Sequence, residues 1–414
     1  MSDNAQKPRI RFKGFSDAWE QRKLGNIAAK VTEKNTQNSI KETFTNSAEM
    51  GVVSQRDFFD HDIAKADKID GYYIVQENDF IYNPRISVTA PCGPINRNKL
   101  GRKGVMSPLY TIFRTNGINP LFLEWYFKSS CWYAYMYFNG DSGARSDRFS
   151  IKNELFFDMP IPLPKDDEQW RIGLLLESLN NLITLHQRKY EKLVNIKKSM
   201  LDKMFPQNGA SVPEIRFKGF TDPWEQRKLT NLCEKFTDGD WIEAKDQSDS
   251  GVRLVQTGNV GVTEYLDKPN NKKWISFETF EQLHCEEVYP GDILISRLPE
   301  PAGRACIMPN LGTKMITAVD CTIVRPNAVT STRFLLQYLS SQAYFDAVNT
   351  CLAGGTRQRI SRGNLAQFNV PIPSSKIEQE KIGEVLEKLD TLITLHQREH
   401  IKPILEVKRV KRNE

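Results

Sequence analysis

Residues 10–24 read IRFKGFSDAWEQRKL, and residues 215–229 read IRFKGFTDPWEQRKL. The two segments are identical at 13 of 15 positions and begin 205 residues apart, a similarity that chance does not produce. Repetition at a fixed distance indicates one structural unit written twice. The 414-residue chain is therefore interpreted as two copies of a unit of about half its length.

A second repeated segment lies near the end of each copy. Residues 182–188 read LITLHQR, and residues 392–398 repeat that segment without change. Between the repeated segments, residues 25–147 and 230–358 share only traces, so we interpret them as variable regions on a common fold. The predicted organisation is two globular domains with their opening segments, 1–163 and 207–373, and two long helices, 164–206 and 374–414.

The variable regions have the pattern of a mixed α/β fold. Short apolar runs alternate with Gly, Pro and Asn turns, which is typical of strands. Helices are predicted at about 120–137 and 331–349. Each domain then ends in a proline-containing strand, at 159–164 and 370–373, where proline prevents a helix from forming.

Two long helices are predicted after these strands. Each spans about 35 residues, or about 50 Å at 1.5 Å per residue. An amphipathic helix on its own domain's core is one interpretation, but helices of this length favour an antiparallel pair with a pseudo-two-fold axis. A 4,3 spacing of apolar positions predicts a coiled-coil seam at Ile172, Leu176, Leu179, Ile183, His186, Tyr190 and Leu193, and at Ile382, Leu386, Leu389, Ile393 and His396.

Two positions in these helices carry further predictions. His186 and His396 lie near the helix middles, and we expect them to approach each other as a polar device that fixes the register. Two unrelated surface histidines are the alternative. Pro403 is expected to kink or end the second helix.

Composition narrows the cellular setting. Lys and Arg total 57 against 51 acidic residues, a net charge of +6 that weakly indicates an acidic partner. The seven cysteines include no C-x-x-C pair, which disfavours a disulfide framework and a structural zinc site. No apolar signal core and no run of about 18 apolar residues occurs. The sequence therefore predicts a cytoplasmic protein with no membrane partner.

Signatures of catalysis are missing. The sequence has no G-x-x-x-x-G-K-[ST] loop for ATP. It has no Pro-Pro dipeptide, which the Asn/Asp-Pro-Pro-aromatic signature of amino methyltransferases requires, and no Pro-Asp dipeptide, with which a common nuclease pattern opens. The five histidines form no H-x-x-x-H pair within a variable region. We therefore predict no catalytic residue, no metal ligand and no cofactor in this chain.

Basic loops indicate a nucleic-acid partner. Glycine-flanked basic loops occupy equivalent places in the two copies, NGDSGARSDRFSIK at 139–152 and GGTRQRISRGN at 354–364, and a further basic run lies at 97–104. Glycines let the backbone approach phosphates, and the polar side chains supply donors. The candidates are Arg97, Lys99, Arg102, Lys103, Arg145, Arg148, Lys152, Arg357, Gln358 and Arg359.

Duplex DNA suits this organisation. Two similar domains on a spacer of fixed length fit a ligand whose half-sites repeat about every 34–36 Å. Any single basic loop is open to the alternative of a solvated surface, but matched loops in both copies favour binding. Trp19 and Trp224 could stack on bases; because they recur in nearly identical segments, a packing role is preferred.

The whole chain resembles the DNA specificity subunits of type I restriction-modification systems. The resemblance rests on the duplicated FKGF-x-D-x-W-E-Q-R-K-L segment, the two LITLHQR helices, and DGDW (238–241), GDILIS (291–296) and GGTRQRIS (354–361). It implies that each variable region is a target recognition domain that reads one half of a bipartite DNA site. It also implies that the helices form an antiparallel spacer that docks two methylation subunits.

Further expectations come from the same resemblance. Restriction subunits with translocase activity would join the complex, and S-adenosylmethionine, ATP and Mg²⁺ would be bound by partner subunits. Segments 79–85 and 107–113 resemble another subtype of recognition domain, so the two half-sites should differ in sequence. The candidate DNA-binding set is completed by Arg85, Ser150, Thr237, Trp241, Arg297, Arg304, Gly355 and Ser361.

Two other functions remain open on the sequence. One is a stand-alone DNA methyltransferase or nuclease with its own recognition domains. The other is a coiled-coil adaptor that does not bind DNA.

Overall fold

The computed structural model describes residues 8–59, 69–141, 147–207, 209–354 and 358–410, with the backbone alone described from residue 398 onward. The chain divides into two compact units, Met1–Leu182 and Ile183–Glu414. Each unit contains both helices and sheets, which confirms the predicted mixed α/β class.

The first unit alternates short strands with short helices before one long helix. In chain order its elements are β1 (Glu20–Lys23), α1 (Leu24–Ile27), β2 (Ala28–Lys30), β3 (Phe44–Ser47), β4 (Gly51–Ser54), α2 (Gln55–Phe58), β5 (Tyr73–Val75), β6 (Phe80–Tyr82), β7 (Ile95–Arg97), β8 (Gly104–Met106), β9 (Thr111–Thr115), α3 (Pro120–Lys128), α4 (Tyr133–Asn139), α5 (Asn153–Phe157), β10 (Pro160–Leu163) and α6 (Asp166–Met204), whose last turns belong to the second unit.

The second unit repeats this plan. Its elements are β11 (Glu225–Lys228), β12 (Cys233–Asp238), β13 (Gln247–Ser248), β14 (Val252–Val255), β15 (Lys273–Ile275), α7 (Phe277–Gln282), β16 (Ile293–Ser296), β17 (Ala305–Ile307), β18 (Met315–Thr317), β19 (Cys321–Pro326), α8 (Thr332–Tyr338), α9 (Gln342–Thr350), α10 (Arg362–Ala366), β20 (Asn369–Ile372) and α11 (Lys376–Val410). Short 3-10 turns fill the remaining connections, at Leu229–Leu232, Ala244–Asp246, Thr257–Asn259 and Pro269–Asn271.

The main sheets of the two units share one topology. The strand order is β2-β9-β6-β7 in the first unit and β12-β19-β16-β17 in the second, with all neighbours antiparallel. The second unit adds a four-stranded sheet of order β13-β15-β14-β18, in which β14 and β18 run parallel. The shared order explains how the variable regions keep one fold with little common sequence.

An ion pair at the start of a central strand is made in both sheets. Arg114 donates two hydrogen bonds to the buried carboxylate of Asp79, at 2.7 and 2.9 Å. Arg325 does the same to Asp292, at 2.8 and 2.7 Å. Two parallel N–H to O bonds fix both position and angle, so each pair sets the register between the two middle strands of its sheet.

Aromatic side chains from the repeated segments lie in the cores. Trp19 packs edge-on against Phe122 in the first unit. Trp224 is buried in the second and packs against Phe205 and Phe334. The predicted packing role of the two tryptophans is confirmed.

The repeated opening segment anchors the start of each long helix. Arg11 donates to both carboxylate oxygens of Glu168 in the first turn of α6, at 2.7 Å each. Arg216 makes the same bidentate pair with Glu378 in α11, at 2.7 and 2.9 Å. Only 1% and 2% of the two glutamate side chains remain exposed, so these are buried, charge-assisted contacts.

Strand pairing places the opening segments beside the long helices. β1 pairs antiparallel with β10, and β11 pairs with β20, in equivalent registers: Glu20 faces Leu163 and Glu225 faces Ile372. The near-identity of the two segments therefore has a structural cause. Both copies need one strand and one arginine to hold the helix that leaves the domain.

Within the second unit, the last turns of α6 lie beside α11. The rings of His186 and His396 have centroids 5.7 Å apart, which confirms the predicted approach of the two histidines. Farther along, Lys197 forms an ion pair with Asp390. Residue numbers rise along one helix while they fall along the other, so this stretch of the pair is antiparallel.

The helix faces differ in part from the predicted seam. Ile382 and Leu386 are buried in the core of their own domain, the interpretation that the seam prediction had set aside. Leu179 and Ile183 keep 46% and 51% of their surface exposed. A heptad pattern identifies an apolar stripe but not the element that covers it.

The prediction for Pro403 is corrected in one respect. The backbone of α11 stays helical to Val410, so the helix does not end at this proline. A proline removes one backbone donor and crowds the preceding turn, but neither effect stops the chain from resuming the helix.

We expect Arg216→Met to lower the free energy of unfolding by about 3–5 kcal/mol, because it leaves the Glu378 carboxylate buried without its partner. The double variant Arg216→Met/Glu378→Met should recover much of that loss. Urea denaturation of the two variants measures the difference. The exposed pair Arg227 and Glu225 is the control, and Arg227→Met should change stability by less than about 1 kcal/mol. Equal destabilisation by single and double variants would contradict the buried-pair account.

Gly383 lies where α11 crosses α8 most closely. A Cβ added at this position would lie 2.7 Å from the backbone nitrogen of Phe334. Gly383→Ala should therefore destabilise the protein by about 1–3 kcal/mol, although alanine favours a helix by about 1 kcal/mol. In α10, a Cβ at Gly363 would meet only the Ser361 hydroxyl at 3.8 Å, so Gly363→Ala is the matched control and should not destabilise. A neutral or stabilising Gly383→Ala would refute the close-contact argument.

Candidate nucleic-acid interface

The basic run at 97–104 is largely neutralised by acidic residues of its own unit. Arg97 and Lys99 both pair with Glu124, which lies buried in α3. Lys128 also pairs with Glu124, at 3.0 Å. Burial raises the pKa of Glu124, but Lys128 and Arg97 outweigh it and hold that pKa below its usual value. Arg97 and Lys99 therefore stabilise the fold, and we leave them out of the proposed interface.

The end of the same run is more open. Arg102 pairs with Glu42 at 3.1 Å, and both side chains are partly exposed. Lys103 is exposed, and no partner for its ammonium group is found among the described residues. Of the four candidates in this run, Lys103 retains the most freedom to meet a ligand.

Two candidates from distant segments meet in the first unit. The backbones of Arg85 and Arg148 form an antiparallel bridge, and the amide of Phe149 donates to the carbonyl of Pro84 at 2.8 Å. Asp147 lies 3.9 Å from the Arg85 guanidinium, with both side chains more than half exposed. The two arginines thus line one surface cleft.

The other candidates of this loop are exposed or lie outside the described residues. Ser150 pairs with Asp141 through backbone hydrogen bonds, and its side chain is exposed, as is Lys152. Arg145, Gly355 and Arg357 fall outside the described residues. Their predicted contacts with DNA stay predictions.

The second unit holds an alternating cluster of charges at the equivalent place. Arg297 is buried and lies 3.5 Å from Asp238 and 3.9 Å from Asp320. Arg359 lies 3.7 Å from Asp320, and Arg362 lies 3.8 Å from Asp238. Three guanidinium groups therefore face two carboxylates. Arg297 has a structural role, whereas Arg359 keeps 62% of its side chain exposed.

Ser361 and Gln358 lie next to this cluster. The hydroxyl of Ser361 accepts a hydrogen bond from the Asn364 amide and caps the N-terminus of α10, as serine commonly does. The side chain of Gln358 is exposed. The side chain of Ser361 therefore serves as a helix cap, whereas the side chain of Gln358 has no capping role.

The side chain of Arg304 makes its hydrogen bonds within the protein. Its guanidinium donates to five backbone carbonyls, those of Thr257, Val260, Leu298, Pro299 and Pro301. Burial lowers its pKa from the usual arginine value. The side chain ties two loops together, so we omit it from the proposed interface.

The DGDW segment presents an exposed ring from a fixed turn. A Cβ on Gly239 would lie 2.2 Å from the carbonyl oxygen of Thr317, so only glycine fits there. Asp240 accepts a hydrogen bond from the Glu286 amide, and burial raises its pKa to about 6. Trp241 follows with 73% of its surface exposed. An exposed indole on a rigid turn can stack on a base, whereas the predicted contact Thr237 is half-buried in β12.

Several residues of the two sites were missed by sequence reasoning. Asp238, Asp320 and Arg362 complete the charge cluster of the second unit, and Gln55 and Tyr110 line the cleft of the first. Arg362 sits within the basic loop GGTRQRISRGN and could have been found from it. Asp238 opens the DGDW segment and Tyr110 lies in segment 107–113, so both could also have been found. Asp320 and Gln55 come from other parts of the chain, and no local pattern connects them.

The structure also bears on metal binding and on membrane insertion. In the part of the chain that the structure covers, no group of three or more His, Cys, Asp or Glu residues could hold a metal ion. Over the same residues, no helix has the length and apolar character needed to cross a membrane.

Comparisons with known proteins agree with this architecture. The profile of the type I restriction modification DNA specificity domain matches residues 221–405. The type I restriction enzyme MjaVIII specificity subunit of Methanocaldococcus jannaschii is 22% identical to this chain over 264 residues. That alignment covers 60% of this chain and 59% of the relative, so the chain spans less than two thirds of the relative's length.

One solved structure adds a likeness of fold, and a second is similar at a lower score. The S subunit of a type I restriction-modification system from M. genitalium is similar at a TM-score of 0.58 and 12% identity, covering 98% of this chain and 97% of that one. The HsdS subunit from Thermoanaerobacter tengcongensis has 17% identity and a TM-score of 0.44, with 98% and 96% covered. Residues 221–405 thus match the type I restriction modification DNA specificity domain, and the chain is similar to the specificity subunits of type I restriction enzymes.

Proposed function

We propose that this chain is the DNA-binding specificity subunit of a type I restriction-modification complex. Each unit carries one target recognition domain, and each domain reads one half of a bipartite, asymmetric DNA site. The observation that carries the proposal is the specificity-domain match at 221–405, together with the same strand order and the same two buried ion pairs in the first unit. The match favours this function over a stand-alone enzyme or a coiled-coil adaptor.

The long helices α6 and α11 would set the spacing of the half-sites and dock two methylation subunits. Their apolar residues include several that stay about half exposed, such as Leu182, Leu185 and Leu395. Surfaces of this kind favour contact with another protein. Restriction subunits with translocase activity would join this core.

The chain itself would have no catalytic residue. S-adenosylmethionine, ATP and Mg²⁺ would be bound by the partner subunits, where methyl transfer and translocation take place. The role of this chain is then to deliver those activities to one DNA sequence.

The two recognition domains would read their half-sites with different chemistry. In the first unit, Arg85 and Arg148 line a cleft with no carboxyl group among its described lining residues, and Arg85 has one acidic neighbour outside the lining, Asp147 at 3.9 Å. In the second, Arg359 and Arg362 are partly balanced by Asp238 and Asp320. This difference supports an asymmetric target rather than a palindrome.

Mapping methylated bases in cells that express this chain with its methylation subunit tests the proposal. We expect a motif of two short specific blocks separated by a gap of fixed length and unspecified sequence. Cells with the methylation subunit alone are the control and should show no such motif. A continuous motif, or specific methylation by the partner alone, would contradict the two-domain function.

Exchange of residues 25–147 for the matching region of a related subunit should change one block only. The exchange leaves β1, β10 and the Arg11–Glu168 pair in place, so the long helix keeps its anchor. The reciprocal exchange of residues 230–358 should change only the other block. Methylation mapping of both hybrids is the measurement, and a change in both blocks from either exchange would count against the domain assignment.

A further inference from the structure

The first unit contains a cleft of about 430 Å³ that the sequence did not predict. Its walls come from the β3–β4 hairpin with the start of α2, from the turn after β6, and from the segment before β9. Arg85 and Arg148 contribute guanidinium groups to this cleft. All of its lining residues belong to the first unit.

The lining has the chemistry of a nucleotide site. None of the described lining residues carries a carboxyl group. Asp147, which is not a lining residue, lies 3.9 Å from the Arg85 guanidinium at an exposed position, whereas Arg148 has no acidic partner among the described residues. Aromatic rings of Phe58, Tyr72 and Tyr110 also line it. Cations together with aromatic faces suit a ligand with both a negative charge and a planar ring.

The polar part of the cleft is held in place by amide hydrogen bonds. Asn83 donates to the carbonyl of Asn46 at 2.8 Å, and Asn96 donates to the side-chain oxygen of Asn46 at 2.8 Å. The Tyr110 hydroxyl lies 3.1 Å from that of Thr45. Groups fixed before a ligand arrives lose little freedom when it binds.

One acceptor in this region has no partner. Oε1 of Gln55, a lining residue, is buried without a hydrogen bond to any described residue. Burying such an acceptor is unfavourable unless a donor reaches it. The exocyclic amino group of adenine or cytosine is a donor of the required kind.

The equivalent place in the second unit is built differently. There the amide of Ile360 donates to the carbonyl of Arg297, as the amide of Phe149 donates to that of Pro84. Arg359 takes the position of Arg148, but it is paired with Asp320. Among the described residues Arg148 has no acidic partner, whereas Arg359 has one, so this cationic cleft is a feature of the first unit and not of the shared fold.

We propose that this cleft reads one base of the first half-site, an inference that rests on the proposed DNA-binding function. Arg85 and Arg148 hold the DNA at the cleft, the aromatic rings flank the base, and Gln55 accepts a hydrogen bond from its amino group. The base at that position is adenine or cytosine. Specificity at one position of one half-site is thus assigned to a set of four residues, Gln55, Arg85, Tyr110 and Arg148.

The test uses the complex of this chain with its methylation subunits and a duplex that carries the mapped motif. Arg85→Gln and Arg148→Gln should each weaken binding by roughly 10- to 150-fold, the range for one charge-assisted hydrogen bond. Gln55→Leu should relax the preference at one position of the first block with little change in the melting temperature, because the only hydrogen bond of its side chain to a described residue, from Nε2 to the Phe44 carbonyl, is long at 3.4 Å. Fluorescence anisotropy gives the affinities, methylation mapping gives the base preferences, and thermal melting verifies folding.

Two controls match these variants. Lys30→Gln removes the same charge from an exposed position of β2 outside the cleft, and it should leave the affinity and both blocks unchanged. Arg359→Gln alters the equivalent position of the second unit, and it should leave the first block unchanged.

The outcomes separate this inference from the proposed function. If the wild-type complex gives a bipartite motif but the cleft variants keep its first block and affinity, the cleft assignment fails while the function stands. If the arginine variants weaken binding to all sequences equally while Gln55→Leu leaves the base preference of the first block unchanged, the cleft contacts phosphates only and the base-reading assignment is overturned. If the wild-type complex shows no sequence-specific methylation, both proposals fail.

Discussion

The buried pairing of Arg11 with Glu168, and of Arg216 with Glu378, is the interaction on which the arrangement of each copy depends. A carboxylate that is almost fully buried in the first turn of a helix needs a cation with two donors in one plane, which arginine provides and lysine does not. The pair joins the start of the copy to the start of its long helix, across more than 150 residues of sequence. The variable region between them can therefore change while its two ends stay together.

Much of the architecture was predictable because it is encoded locally or by repetition. The duplicated segments gave the two copies, and apolar spacing gave the long helices and the approach of His186 to His396. The proline-containing strands at β10 and β20 also agree with the sequence pattern. Predicting these features requires only neighbouring residues, or the second copy of the repeat for comparison.

The sites were less predictable, because charge balance depends on partners that are far apart in sequence. Arg97 and Lys99 have the sequence pattern of a DNA-binding loop, but Glu124 from α3 pairs with both of them and Glu177 from α6 pairs with Lys99. Arg85 and Arg148 looked unrelated in sequence, and a backbone bridge brings them together. The predicted coiled-coil seam differs from the structure at Ile382 and Leu386 for a similar reason. The spacing of these two residues does not reveal that α8 covers them.

The five carbonyl contacts of Arg304 have a consequence for recognition by the second unit. Loops that order themselves only when a ligand arrives lose conformational entropy at that moment, about 1–2 kcal/mol for each backbone residue fixed. Here one side chain fixes parts of two loops during folding, so that loss has already occurred before any ligand binds. The loops near 257–260 and 298–301 are thus expected to stay rigid when a ligand binds to the second unit, so that selectivity would come from the fit of the ligand to them and not from their adjustment to it.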